Sequence, residues 1–251
     1  QSFAERMHAM GKTLSSANSI NFGRLVPQVV YYFSAYAELL RARKLAVGEP
    51  VNFVVPTGNF GNILAAYYAR SMGLPVGKLI CASNRNNVLT DFFETGIYST
   101  HRTFFKTTSP SMDILISSNL ERFLFAMTGN DGDKVAQWMK ELQQDGCFTV
   151  DEETKNRMVQ FVVGGAADET ETLAMIQSCY AENHYLLDTH TAVALKVSRE
   201  YRNNSGNDRI AVIDSTAHPC KFVASVMNAL QQTQQSTDEL EQLNQLVALT
   251  D

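Results

Sequence analysis

The spacing of apolar positions changes several times along the chain, and each change predicts an element. Over 19–45, "SINFGRLVPQVVYYFSAYAELLRARKL" puts Leu25, Val29, Tyr32, Phe33, Tyr36, Leu39 and Leu40 on one helical face. Pro27 suits a first turn. At 51–55, "VNFVV" becomes a continuous β-rich run, the pattern of a parallel strand buried on both faces. A helix follows in "FGNILAAYYARSMG", with Gly73 at its close. Then come the strand "KLICAS" (78–83) and the short helix "VLTDFFETG", ended by Gly96. A longer helix is predicted over 112–129, and "DKVAQWMKELQQDG" and "DEETKNRMVQF" read as two more, each starting after or with aspartate as N-cap. The stretch 168–184 opens with acidic residues that suit a helix dipole. "YLLDTHTAVALKVSREYRN" holds a further helix, "RIAVIDST" (209–216) is the last strand, and "HPCKFVASVMNAL" is the helix after it. The tail from Gln231 reads as a short or frayed helix.

Strands alternating with helices predict an α/β fold, a mainly parallel sheet flanked by helices. Residues 1–230 form one domain on this reading, 231–251 a tail, and the helical block 112–160 an insertion at the sheet's edge. In such sheets ligands bind beyond the carboxyl ends of the strands. Two of those ends carry concentrated polar chemistry: "PTGNFGN" after 51–55 and "DSTAHP" after the final strand.

Composition narrows the function classes. A net charge of −5 on 251 residues argues against a nucleic-acid binder. No apolar run approaches the roughly 20 residues that span a bilayer. No signal-peptide pattern is present, and the reading is cytoplasmic. Cys81, Cys147, Cys179 and Cys220 form no CxxC pair and read as reduced structural thiols. The start at Gln1, with a helix soon under way, reads as a piece of a longer protein.

In "PTGNFGN", Gly58 and Gly61 let backbone approach a ligand closely. The helix start beyond them presents N–H groups to an anion. No lysine or arginine lies in the loop, so a phosphate there rests on amides, each charged-acceptor bond contributing about 1.5–3 kcal/mol. The simpler alternative is a turn capped by Thr57 or Asn59. Neither GxxxxGK[ST] nor GxGxxG is present. In "DSTAHPCKF", Ser215 and Thr216 end a strand read as buried, so a hydroxyl faces the crevice or caps the next helix. His218 reads as either a packing residue or a base, and Lys221 as a structural or surface residue rather than a nucleophile. Asn18, Ser19 and Asn21 can cap the first long helix, and Arg24 can grip an anionic group or pair on the surface. Asp188 and Thr189 read as helix caps, with His190 structural rather than a general base.

Taken together, "SANSINFGRL", "NFVVPTGNFGNILAAYYARSMGLP", "SPSMDILISSNLERFLF", "DTHTAVA" and "DSTAHPCKF" closely resemble threonine synthase, in the family's order. The resemblance implies a fold-type-II pyridoxal-phosphate enzyme converting O-phospho-L-homoserine and water to L-threonine and phosphate. It implies that Gly58, Asn59, Phe60, Gly61 and Asn62 hold the cofactor phosphate, and that Thr216 faces the pyridine nitrogen. Asn18, Ser19, Asn21 and Arg24 would lie near substrate. The family's Schiff-base lysine, in an "FKD"-like segment, and its "SGDTG"-like loop are absent here. The resemblance therefore implies a carboxy-terminal portion, without catalytic residues of its own, inactive without an amino-terminal half. The alternatives are a sibling dehydratase and a non-catalytic phosphate-binding module. A half-sheet would expose an edge and favour self-association.

Overall fold

The computed structural model describes residues 3–14, 18–231 and 238–250. Ser16 and Ala17 of the "SANSINFGR" stretch, and part of the tail, lie outside them. In chain order the chain forms helices α1 (Phe3–Ala9), α2 (Phe22–Leu25) and α3 (Val29–Arg41), strand β1 (Val51–Pro56), α4 (Gly61–Ser71), β2 (Val76–Ser83), α5 (Val88–Thr95) and β3 (Ile97–Ser99). The second part holds α6 (Leu120–Met127), α7 (Gly132–Asp145), β4 (Cys147–Thr149), α8 (Glu152–Phe161), β5 (Val162–Ala166), α9 (Glu169–Asn183), α10 (Thr189–Ser205), β6 (Ala211–Ile213), α11 (Val223–Ala229) and α12 (Glu239–Thr250).

β1, β2, β5 and β6 form one parallel sheet in the order β5-β2-β1-β6. β1 is buried along its whole length, as its β-rich run predicts, with Asn52 the one polar side chain in it. Alternate residues serve opposite faces. Phe53, Val55, Leu79 and Cys81 join a large cluster with α3 to α8, whereas Val54, Ile80 and Ala82 pack on Val193, Ala194 and Val197 of α10. Burial pushes the Cys81 thiol up to about 12, which leaves it an inert packing group. A third cluster, built on Ile176, Val226 and Leu246, ties α9 to α11 and α12.

Several expectations change in the structure. The first long helix is broken: Val26–Gln28 is a 3₁₀ turn around Pro27, because the ring removes a donor. The 112–129 helix is confined to α6, with a 3₁₀ turn at Pro110–Met112 before it. In between, the Ser117 amide donates to Tyr98 Oη at 2.9 Å and the Asn119 amide to the Asn59 carbonyl at 3.1 Å. Those tertiary bonds take donors a helix needs. The block 112–160 also contains β4, paired antiparallel with β3. The last strand covers only 211–213 and is a sheet edge, not a buried strand. β1 is its single neighbour among the described residues, and Ala211 is exposed. β5 has no counterpart among the elements that the sequence pattern predicts.

Asp151 and Asp188 cap their helices as the pattern predicts, whereas α7 starts earlier than predicted and is capped by Asp131 rather than Asp133. Asp131, Asp151 and Asp188 each accept amides at their helix starts, and Asp168 with Glu171 forms a full capping box. Gly164 and Gly165 make room for packing on β5. A Cβ on Gly164 would sit 2.7 Å from Thr90 Cα and one on Gly165 2.5 Å from Val197 Cγ1. Gly164→Ala, which meets backbone, is expected to cost about 1–3 kcal/mol by overpacking. A denaturant midpoint equal to the parent's would contradict the close α5–β5 approach.

Candidate functional site

Neither Thr57 nor Asn59 caps α4. The Thr57 hydroxyl donates to the Val55 carbonyl at 2.7 Å. The N-cap is Phe60, in the left-handed region (φ 62°, ψ 3°), with no side-chain hydrogen bond. This conformation is disfavoured for a bulky residue and is held by packing. The Phe60 ring is 1% exposed and lies 5.4 Å from Phe123 and 6.0 Å from Phe93.

The left-handed turn sorts the loop's polar groups onto two sides. The Gly58 carbonyl accepts from Ser117 Oγ at 2.7 Å, and the Asn59 carbonyl accepts from Asn119 Nδ2 at 2.9 Å and from its amide at 3.1 Å. The Phe60 carbonyl accepts the Leu64 amide. The N–H groups of residues 58 to 63 donate to no acceptor among the described residues. Six amides in a row therefore lie together at a helix start, with the carbonyls turned away. Such an arrangement can accept an anion without a basic side chain.

Gly58 is required by a close approach. A Cβ there would meet the Ser111 carbonyl oxygen at 2.5 Å. Gly58→Ala is expected to lower stability by about 1–3 kcal/mol; a denaturant midpoint equal to the parent's would refute the close contact.

Beside Asn62, along β6 and past its end, lies a cavity of about 800 Å³. Arg24, Asn62, Ser111, Asp214 and Thr216 are on its wall. Sequence reasoning missed two groups here. Tyr32 is 1% exposed, and its hydroxyl lies 2.9 Å from Asp214 Oδ2 and 2.8 Å from Asn62 Oδ1. Asn62 Nδ2 donates to the same carboxylate oxygen at 3.0 Å. Burial lifts the Asp214 carboxyl to about 6, against the lowering effect of the bonds from Tyr32 and Asn62. Burial, then the Asp214 charge, pushes the Tyr32 phenol well up, so it stays a donor.

The structure thus brings Asn62, Arg24 and Thr216 to one cavity and places Gly58, Asn59, Phe60 and Gly61 in the adjoining turn. The Asn62 side chain is committed to Asp214, leaving its amide for the turn. Thr216 is exposed on the rim. Asn18 and Asn21 are not on the cavity wall. Their Oδ1 atoms accept the amides of Ile20 (3.2 Å) and Gly23 (2.8 Å), the capping alternative. Ser19 is near Gly61 through its carbonyl, which accepts Asn119 Nδ2 at 3.0 Å. His218 accepts the Cys220 amide through Nδ1 at 3.3 Å, and Lys221 lies over the Phe222 ring at 5.5 Å, off the cavity wall.

Comparison with known proteins gives the chain's relatives. A family model described as threonine synthase, C-terminal, matches residues 191–248. The human protein named threonine synthase-like 1 is 47% identical over 221 residues, covering 88% of this chain and 29% of that protein. Threonine synthase of Pseudomonas aeruginosa is 38% identical over 231 residues, 91% of this chain and 47% of its own length. The crystal structure of pyridoxal-phosphate-bound threonine synthase from Brucella melitensis superposes with a TM-score of 0.84 at 42% identity, covering 97% of this chain and 50% of that one. The chain spans about half the length of the bacterial relatives it matches and less of the human one. Over nearly its whole length, the chain is therefore a relative of the carboxy-terminal portion of the threonine synthases, pyridoxal-phosphate enzymes of fold type II.

Proposed function

We propose that this chain is the carboxy-terminal portion of a threonine synthase, acting in threonine biosynthesis on O-phospho-L-homoserine and water with pyridoxal 5'-phosphate. The observation that carries the reading is the row of amides at 58–63 without an acceptor among the described residues, beside a cavity along β6. The donor set fits the cofactor's phosphate: six N–H groups at 58–63 that meet no protein acceptor among the described residues. When bound, the cofactor supplies an electron-withdrawing ring that stabilises negative charge on substrate carbon.

The chain's own residues would bind and orient. Gly58, Asn59, Phe60, Gly61 and Asn62 hold the phosphate through their amides. Thr216, a neutral hydroxyl, faces the ring nitrogen and leaves it unprotonated. Arg24 meets an anionic group of the substrate, with Asn18, Ser19 and Asn21 holding the turn that presents it. Among the described residues no lysine lines the cavity, and on this reading an amino-terminal portion would supply the lysine that anchors the cofactor. The same observation favours a second reading, a phosphate-binding module without catalysis.

Titrating the protein with pyridoxal phosphate while following backbone amide resonances tests the reading. Shifts concentrated at 58–63 are expected, and an unmoved loop with shifts elsewhere would overturn it. Adding an amino-terminal threonine synthase half then separates the two functions. Turnover supports the enzyme, whereas phosphate binding without turnover supports the module.

The amino-terminal half is also the partner expected at the open edge. β6 is unpaired on one side among the described residues, and nearby Phe22, Val26, Val30 and Tyr31 are 45–63% exposed. Without that half, the chain is expected to self-associate through this face; a monomer by light scattering at high concentration would refute this.

A further inference from the structure

His190 is not used in the chemistry above, yet it is 2% exposed and every polar atom of its side chain is engaged. Its Nε2 accepts the Ser111 amide at 3.2 Å, so that nitrogen carries a lone pair and no proton. Its Nδ1 faces Asp188 Oδ1 at 3.3 Å and Thr189 Oγ1 at 3.4 Å. A neutral ring with its proton on Nδ1 satisfies all three. Asp188 is itself fixed: Oδ1 accepts the His190 and Thr191 amides at 2.8 and 3.2 Å, and Oδ2 accepts the Thr191 hydroxyl. The Phe222 ring, 4.8 Å away, closes the imidazole in.

Ser111 links this buried ring to the candidate anion site. Its carbonyl is the group that excludes a Cβ at Gly58, and the residue lies on the cavity wall. We propose that His190, held as the Nδ1–H tautomer by Asp188, is a positioning residue that fixes Ser111 against Gly58 and so shapes the phosphate-binding turn. With its Nε2 lone pair given to Ser111, His190 is not a general base. The assignment rests on the anion-site reading for its effect on binding, but not for the tautomer or the Ser111 bond.

Three measurements test it on the protein. Long-range proton–nitrogen spectra of the His190 ring should show Nδ1 protonated and Nε2 bare; the opposite tautomer overturns the proposal. His190→Phe keeps a ring against Phe222 but removes the acceptor. His190→Gln keeps an oxygen acceptor near the Nε2 position. The His190→Phe variant should speed hydrogen exchange at the Ser111 amide and weaken inorganic phosphate binding by about three- to tenfold, the loss of one hydrogen bond. The His190→Gln variant should restore both. Unchanged exchange and affinity in a folded His190→Phe variant, or no recovery with His190→Gln, overturns the proposal. If His190→Phe prevents folding, the tautomer and the His190→Gln variant decide. If the parent binds no phosphate at 58–63, the anion-site reading fails alone, and the tautomer and Ser111 exchange still judge His190.

Discussion

Phe60→Ala is expected to lower stability by about 3–5 kcal/mol, the usual cost of emptying a buried aromatic site. Phe60 is 1% exposed and packs between Phe93 and Phe123, so its removal leaves a void that α4 and α6 cannot close without moving. The same ring holds the backbone at φ 62°, a conformation that costs about 1–2 kcal/mol for a residue with a Cβ. Two consequences separate these roles. Phosphate affinity should fall more than stability alone explains, because the amide row is set by that dihedral. Phe60→Gly should be at least as stable as Phe60→Ala, the reverse of the order seen inside helices, since glycine adopts the turn without strain. Denaturant unfolding of both variants checks this. A glycine variant clearly less stable than the alanine variant would show that the left-handed turn stores no strain.

The second large effect depends on pH. Asp214 is lifted from an ordinary 3.8 to about 6, chiefly by burial. The folded state therefore holds this proton more tightly than the unfolded chain. The resulting stabilisation is fully present below 3.8 and is lost as pH rises through about 6. Between about pH 4.5 and about pH 7.5 the loss is about 2 kcal/mol. Asp214→Asn is similar in shape, keeps an oxygen toward the Tyr32 hydroxyl and cannot titrate. Its stability relative to the parent should rise by that amount over the same range. Parallel curves for the two proteins would mean that the Asp214 carboxyl is not perturbed.

The sequence was most legible where local pattern and tertiary role agree. β1 reads as buried because "VNFVV" is β-rich and apolar but for Asn52, whose buried side chain accepts the Lys78 amide at 2.8 Å. β5 was illegible for a physical reason. "VVGGA" looks like a turn, but the glycines are there so that α5 and α10 can press against the sheet. The three-residue β3 and β4 carry too few alternations to register. The edge position of β6 was hidden because "AVI" looks as buried as a central strand. Tyr32 and Asp214 escaped notice as site residues because nothing local joins a helix face to a strand end 182 positions away. Asp188 and His190 were recognised as a helix start, but the partner that gives His190 a role, Ser111, lies 79 positions earlier.

The sheet order carries a kinetic consequence. β1 finds β2 across one short crossover, but β6 joins β1 only after the chain has passed through α10. Closing so long a loop is entropically slow, and an edge strand of three residues repays little of that cost. The amides of Val212 and Ile213 should therefore be the last in the sheet to gain protection during refolding and the first to exchange in the native state. Since Thr216 follows that strand directly, the hydroxyl side of the cavity is assembled after the amide side, on a framework that already exists.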